Sequence, residues 1–286
     1  MTRVGAIFSP YAYPPEALRD AVVAADEAGL SELWLWEDCF RHSAYASASA
    51  ALAWTTRLSV GIGIAPMPLR NVAVAAMEVA TLARLFPGRL MPGFGHGVLP
   101  WMSQVGARVA SPLTLMREYL PALRALLSGD EVTVDGRYVR LDGVRLDWPP
   151  AVVPQVYAAA EGPKTLALAG AVAQGVVLDS RHSPAELQRA VHTVREGAGD
   201  GPRPADIVAY AVAAFGPGSA ERVRADAGER GPEDDRALWG TAADVAAGVR
   251  RIAASGVDAV ILLPAEGDPD LARFCADAAD VGRMVA

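Results

Sequence analysis

Lysine is nearly missing from this chain. Lys164 is the only one, although Lys and Arg together number 26 of 286 residues. No basic tract or stripe occurs and the formal net charge is −7, which argues against a nucleic-acid partner. No apolar run approaches the length of a membrane span, so no membrane partner is expected. The opening MTRVGAIFSPYAYPP reaches prolines before it builds a long apolar segment, which predicts no secretory leader. Cysteine is scarce as well. Cys39 and Cys275 stand far apart with no metal-ligand spacing, so the simple reading is a reduced, cytoplasmic protein without a metal.

What is abundant is apolar: 52% of the residues are hydrophobic, ample for one large core. Short β-like runs alternate with helical stretches. The strands are Val4–Phe8, Glu32–Trp36, Leu58–Ile64, Arg89–Gly95, Val156–Ala159, Val176–Asp179, Ile207–Ala213 and Val257–Leu263. Helices are expected at Pro15–Ala28, Ala44–Trp54, Val72–Phe86, Leu113–Ser128, Pro163–Ala173, Pro184–Glu196 and Pro269–Val285, with a long helical region between the last two strands. Only Glu131–Leu141 breaks the rhythm, alternating about Asp135-Gly136 as a hairpin does.

Eight strands with helices between them, and no break in composition, predict an α/β (β/α)8 TIM barrel with loop insertions over a doubly wound sheet. It is expected as a single domain over residues 1–286. Active sites of such barrels sit at the carboxyl ends of the strands. Those ends are Ser9-Pro10, Glu37–Arg41, Gly63–Pro66, Gly95–Trp101, Ala160–Lys164, Asp179–His182, Ala213–Gly216 and Pro264–Glu266.

The fourth strand end is the most distinctive. Gly93, Gly95 and Gly97 alternate around Phe94 and His96. Glycines at every second strand position forgo side-chain packing and mark close approach of a ligand or of another backbone. The expectation is a strand end cleared for something flat. The spacing is not the dinucleotide G-x-G-x-x-G, because residue 98 is Val. Pro100 also argues against a helix starting directly after the glycines.

At these strand ends the chain resembles the luciferase-like monooxygenase superfamily, in its branch that uses coenzyme F420. The resemblance rests on AADEAGLSELWLWED (24–38), LSVGIGIAPMPLRN (58–71), TLARLFPGRLMPGFGHGVLPWMSQVGA (81–107) and EGPKTLALAGAVAQGVVLD (161–179). The wording PGFGHGV-x-x-WM-x-QVG is the specific part. The resemblance implies a barrel, a deazaflavin cofactor and a small organic substrate. It implies a bulge with a cis peptide at Gly63–Ile64, supporting the ring from the wall facing the glycine cluster. It places the cofactor phosphate at Glu161, Gly162, Pro163 and Lys164, where Gly permits close approach and a helix start attracts an anion. Gly95, His96 and Gly97 would border the ring. His96 is the acid–base candidate, against the alternative of a simple hydrogen bond to cofactor or loop. Asp38 would contact the cofactor or take part in catalysis, against the alternative of a loop cap or salt bridge.

Departures from the pattern narrow the activity. Relatives that oxidise sugar phosphates carry a His after this Asp and a Glu after the glycines. Here Cys39 and Val98 stand there. Trp101 and Met102 point to a more apolar substrate side. Cys39 is read as an activated thiol or as an inert buried one. Arg41, Arg70 and Arg181 are candidates to hold a cofactor tail. Three readings stay open: an F420-dependent hydride-transferring oxidoreductase, an FMN-dependent monooxygenase, and a flavin-binding barrel without turnover. Residues 42–56 contain no Asp, Glu, Lys or Arg, and the next helix carries only Glu78 and Arg84. Outer barrel helices normally show a polar face, so a homodimer through these two is expected.

Overall fold

The computed structural model describes residues 2–201, 206–227, 236–268 and 270–286. Eight parallel strands close into a barrel: β1 (Arg3–Phe8), β2 (Glu32–Leu35), β3 (Ser59–Pro66), β4 (Leu90–Gly95), β7 (Tyr157–Ala159), β8 (Gly175–Leu178), β9 (Asp206–Phe215) and β11 (Ala259–Pro264). Their order in space is their order in the chain, and the β1–β11 and β8–β9 pairings complete the circle. Outside it lie α1 (Leu18–Ala28), α2 (Ala44–Trp54), α3 (Val72–Leu85), α4 (Leu99–Gln104), α5 (Pro112–Ser128), α6 (Pro163–Val172), α7 (Pro184–Gly197), α8 (Ser219–Ala227), α9 (Ala242–Ala253) and α10 (Leu271–Val285). No helix among the described residues is long and apolar enough to cross a membrane.

Each of the eight expected strands is present. Two further features differ from expectation. The region between the last two barrel strands, read as helical, contains β10 (Ala237–Gly240) as well as α8 and α9. It pairs parallel with Val212–Phe215 of β9, on the edge that β8 leaves free above Leu178. Four residues are too few for a period to be read. The second difference is α4, which begins at Leu99, two residues after Gly97. Pro100 sits in its first turn, where the missing N–H costs no hydrogen bond and the fixed φ suits the helix. Pro269, expected to open the last helix, lies outside the described residues.

The hairpin is confirmed as β5 (Val132–Asp135) and β6 (Arg140–Val144). Its turn is held from outside: the Glu118 carboxylate of α5 accepts the N–H groups of Arg137, Tyr138 and Val139.

The barrel interior is filled by large side chains, among them Ile7, Trp34, Tyr157, Val177, Tyr210 and Ile261. Space for the rings comes from small neighbours. A Cβ on Gly61 would lie 2.2 Å from Trp34 Cδ2, and one on Gly175 2.3 Å from Tyr157 Cδ1. Below this layer, at the amino ends of the strands, polar groups are joined to each other. Arg3 pairs with Glu32 at 2.8 Å and with Asp206 at 2.6 Å. Trp34 Nε1 donates to Glu32 and the Tyr157 hydroxyl donates to Asp206. Both carboxylates thereby gain partners, although Asp206 Oδ1 stays buried without one, and the opposite end is left for chemistry.

The interior packing predicts opposite signs for two glycine substitutions. Gly61→Ala should destabilise the fold by about 1–3 kcal/mol through overpacking against Trp34. Gly282→Ala, on α10, meets only Val4 Cβ at 3.7 Å and should stabilise by up to about 1 kcal/mol through helix propensity. Urea midpoints at unchanged slope measure both, and a neutral Gly61→Ala would contradict the packing.

Candidate functional site

The site grows from a mismatch between two neighbouring strands. Ile62 of β3 pairs with Pro92 of β4, but the next register pair is Ala65 with Phe94. β3 therefore carries one extra residue there, a bulge at Gly63–Ile64, and the peptide between those residues is cis. The Tyr210 hydroxyl, from β9 across the barrel, donates to the Gly63 carbonyl at 3.4 Å.

The β4 glycines answer to this bulge. A Cβ on Gly93 would lie 2.3 Å from the Ile62 carbonyl oxygen, and one on Gly95 would lie 2.9 Å from the Ile64 side chain. The clearing at these two positions is therefore filled by β3, which corrects the expectation of a strand emptied for a flat ligand. Gly63–Ile64 and Gly95–Gly97 also form one continuous wall instead of two facing ones, because β3 and β4 are hydrogen-bonded neighbours. Gly97 has another role. With φ of +68°, it turns the chain from β4 into α4.

That wall borders a cleft of about 560 Å³ at the carboxyl ends of the strands, a size suited to a small-molecule ligand. Asp38, Gly63, Ile64, Gly95, His96, Gly97, Glu161 and Gly162 all line it. Pro163 and Lys164 do not; both are exposed, and Thr165 takes the lining position on that turn. Asp179 and Ser180, from the expected strand end Asp179–His182, line the cleft as well, whereas sequence reasoning missed Trp36, Pro112 and Tyr210. Tyr210 had a usable signal, since it alternates with the inward-facing Val208 along β9.

Three of the titratable groups that line the cleft are shifted in ways that bear on chemistry. His96 is half-buried, and its desolvation lowers the imidazole pKa. Its Nδ1 is buried without a hydrogen-bond partner. Asp38 is shifted upwards by burial, against the hydrogen bond it accepts from the Tyr11 hydroxyl at 2.8 Å. Tyr11 itself is pushed up to about 12 by burial and by that carboxylate. Asp179 is the opposite case. Burial would raise it, but hydrogen bonds from His182 and Arg181 outweigh this and hold it at about 2.

The arginines near the strand ends are already engaged. Arg70 binds Glu37 through two nitrogens and Glu78 through Nε at 2.9 Å, so it is a structural partner of the loop after β2. Glu37 in turn caps the start of α2 by accepting the Ala44 N–H. Arg41 lies 4.0 Å over the Tyr11 ring, and Arg181 pairs with Asp179 and Glu161. The Cys39 thiol is shifted upwards by burial and by Glu37 and Asp38. An activated thiol needs the reverse shift, so of the two readings the structure keeps the inert one.

The comparisons with known proteins agree with this architecture. A family model described as luciferase-like monooxygenase matches residues 1–230. The 5,10-methylenetetrahydromethanopterin reductase of Methanolobus tindarius is 30% identical over 190 residues, 65% of this chain and 58% of the reductase. The F420-dependent glucose-6-phosphate dehydrogenase of Mycobacterium avium (strain 104) is 30% identical over 213 residues, 68% of this chain and 63% of that enzyme. The chain thus spans less than two thirds of the length of either relative. Among solved structures, an F420-dependent secondary alcohol dehydrogenase in complex with an F420-acetone adduct superposes with a TM-score of 0.85. The likeness has 23% identity and covers 100% of this chain and 99% of that one. At that identity it establishes the barrel fold.

The Asp179–His182 pair yields a measurable titration. His182 Nδ1 lies 3.0 Å from Asp179 Oδ1, and this hydrogen bond raises the imidazole pKa against the opposing effect of burial. A folded value above the ordinary ~6.5 means that the pair's stabilisation is complete below that pH and is lost as pH rises through the folded value. NMR of the His182 ring should give a midpoint above 6.5, and Asp179→Asn should bring it below. A wild-type midpoint at or under 6.5 would contradict the pairing.

Proposed function

The chain belongs to the luciferase-like monooxygenase family, whose model covers its residues 1–230, and we propose that it is a coenzyme F420-dependent oxidoreductase. It would move a hydride between the deazaflavin and a small organic molecule. The observation that carries the proposal is the bulged wall of Gly63–Ile64 and Gly95–Gly97, which brings His96 beside a cleft ending at the start of α6. The F420-dependent relatives support the choice of cofactor.

The residues present fit such a group. α6 opens at Gly162 with no capping side chain. Pro163 has no N–H and the Thr165 N–H donates to the Gly162 carbonyl, so the Lys164 N–H and the helix dipole are what the first turn offers a phosphate. A Cβ at 162 would meet nothing within 4 Å, which leaves room for that phosphate. Lys164 adds positive charge one turn position along, and Arg181 offsets the Glu161 carboxylate beside the cradle. When bound, F420 supplies the hydride-carrying carbon of its ring and reacts poorly with oxygen, which favours dehydrogenase or reductase chemistry over oxygenation.

His96 and Asp38 handle the proton in this reading. Burial keeps the His96 imidazole neutral near pH 7, able to accept a proton from a substrate hydroxyl or to return one. Its Nδ1 is buried without a partner, so a ligand in the cleft would meet the other ring nitrogen, Nε2. Asp38, with its raised pKa and its link to Tyr11, holds a polar edge of the ring or shares the proton. The enzyme is read as a single barrel domain working in a reducing cytoplasm, in keeping with the free thiols of Cys39 and Cys275.

Direct titration tests the cofactor. F420 should bind and lose its visible absorbance when an organic donor is oxidised. Tighter binding of FMN, with oxygen uptake by its reduced form, would replace this reading by that of a monooxygenase. F420 binding without exchange to any acceptor would leave a ligand-binding barrel. His96→Gln should lower kcat by about a hundredfold or more, with F420 affinity little changed. It should also remove an acidic limb of kcat/KM that lies below the usual histidine pH.

We further propose a homodimer through α2 and α3. Their outer face exposes Trp54, Val74, Met77 and Leu85, the last two at 59% and 64%. Light scattering at micromolar concentration should give twice the chain mass, and Met77→Glu should shift it towards the monomer. A monomeric wild type would refute the interface.

A further inference from the structure

The cleft has an unusual distribution of charge. Among the described residues that line it there is no lysine or arginine, while four carboxylates do: Glu37, Asp38, Glu161 and Asp179. Each already has a partner. Glu37 is bound by Arg70, Asp38 by the Tyr11 hydroxyl, and Glu161 by Arg181. Asp179 is bound by both Arg181 and His182. All the cations in these pairs stand outside the lining. An anionic substrate would therefore meet carboxylate oxygens first and no free positive side chain. A cationic one would have to break an ion pair at Glu37, Glu161 or Asp179, whereas Asp38 is bound only by a neutral hydroxyl.

The remaining wall is apolar. Val98, Leu99 and Trp101 border the cleft from the start of α4, with Met102 buried beneath. Val98 and Leu99 keep 43% and 41% of their surface in contact with solvent, although nothing polar on that face requires it. Exposed apolar side chains beside a concave site mark a place that a ligand covers.

We infer that the α4 side of the cleft is a substrate subsite for an uncharged, apolar organic molecule and that it discriminates against anionic ones. The inference deepens the F420 reading in one respect, since it assigns the Gly63–Ile64 and Gly95–Gly97 wall to the ring and the α4 wall to the substrate. Discrimination arises from two terms of the same sign. An anion loses water on entry without gaining a counter-ion, and it also faces like charge.

Three ring compounds of matched size test this: cyclohexanone, cyclohexanecarboxylate and cyclohexylammonium. Each is titrated into the protein with and without saturating oxidised F420. Binding is followed by tryptophan fluorescence and, independently, by ligand-observed NMR. The expected result is that cyclohexanone binds at least about tenfold more tightly than the carboxylate and no more weakly than the ammonium. Trp101→Phe should reduce the fluorescence response, leaving that of Trp36, while NMR still reports binding. Leu99→Arg should reverse the order of ketone and carboxylate. Equal or tighter binding of the carboxylate, or tighter binding of the ammonium, by the wild type would overturn the inference, as would failure of all three to bind. Failure of F420 alone to bind would defeat the cofactor reading, while the ranking on the cofactor-free protein would still decide the substrate class.

Discussion

The pairing of β3 with β4 is the constraint on which the cleft depends. One extra residue in β3 pushes the Ile62 carbonyl and the Ile64 side chain towards β4. β4 can remain hydrogen-bonded only because residues 93 and 95 carry no side chain. The bulge re-aims the strand end, the glycines let it stay closed, and the shared wall delivers His96 to the rim. Tyr210 reaches the same bulge from β9, so opposite sides of the barrel are registered on one feature.

Charge around the cleft is arranged by the same logic of neighbours. The loop after β2 is pinned by Glu37, whose carboxylate takes both the α2 N-terminus and Arg70. The loop after β8 is pinned by Asp179, which gathers Arg181 and His182. These ion pairs hold loops in place, and they remove the cations that would otherwise receive an anionic ligand. The buried Nδ1 of His96 has no hydrogen-bond partner, which sets it apart from Glu37, Asp38, Glu161 and Asp179 at the rim.

Much of the architecture was legible from the chain. Apolar runs at regular intervals, separated by helical stretches, located all eight barrel strands. The glycine cluster, Gly63–Ile64 and the Glu161–Gly162 turn stood at strand ends and met at one cleft. The failures have local causes. β10 is too short for periodicity to show. α4 was hidden because a proline inside a helix's first turn reads as a breaker until the turn's position is known. Lys164 stands at the start of α6, exposed and outside the lining, which the sequence did not show.

Strand spacing, helix starts and the positions of the glycines are properties of consecutive residues, so the sequence alone determined the barrel and which strand ends compose its mouth. Local periodicity and backbone preference suffice for that. Only the tertiary structure decided what each glycine makes room for, which carboxylate takes which arginine, and that no lysine or arginine among the described residues lines the cleft. Those outcomes depend on contacts between residues tens to hundreds of positions apart. Arg3 with Asp206 and Tyr210 with Gly63 are examples, and their geometry exists only once the barrel has closed.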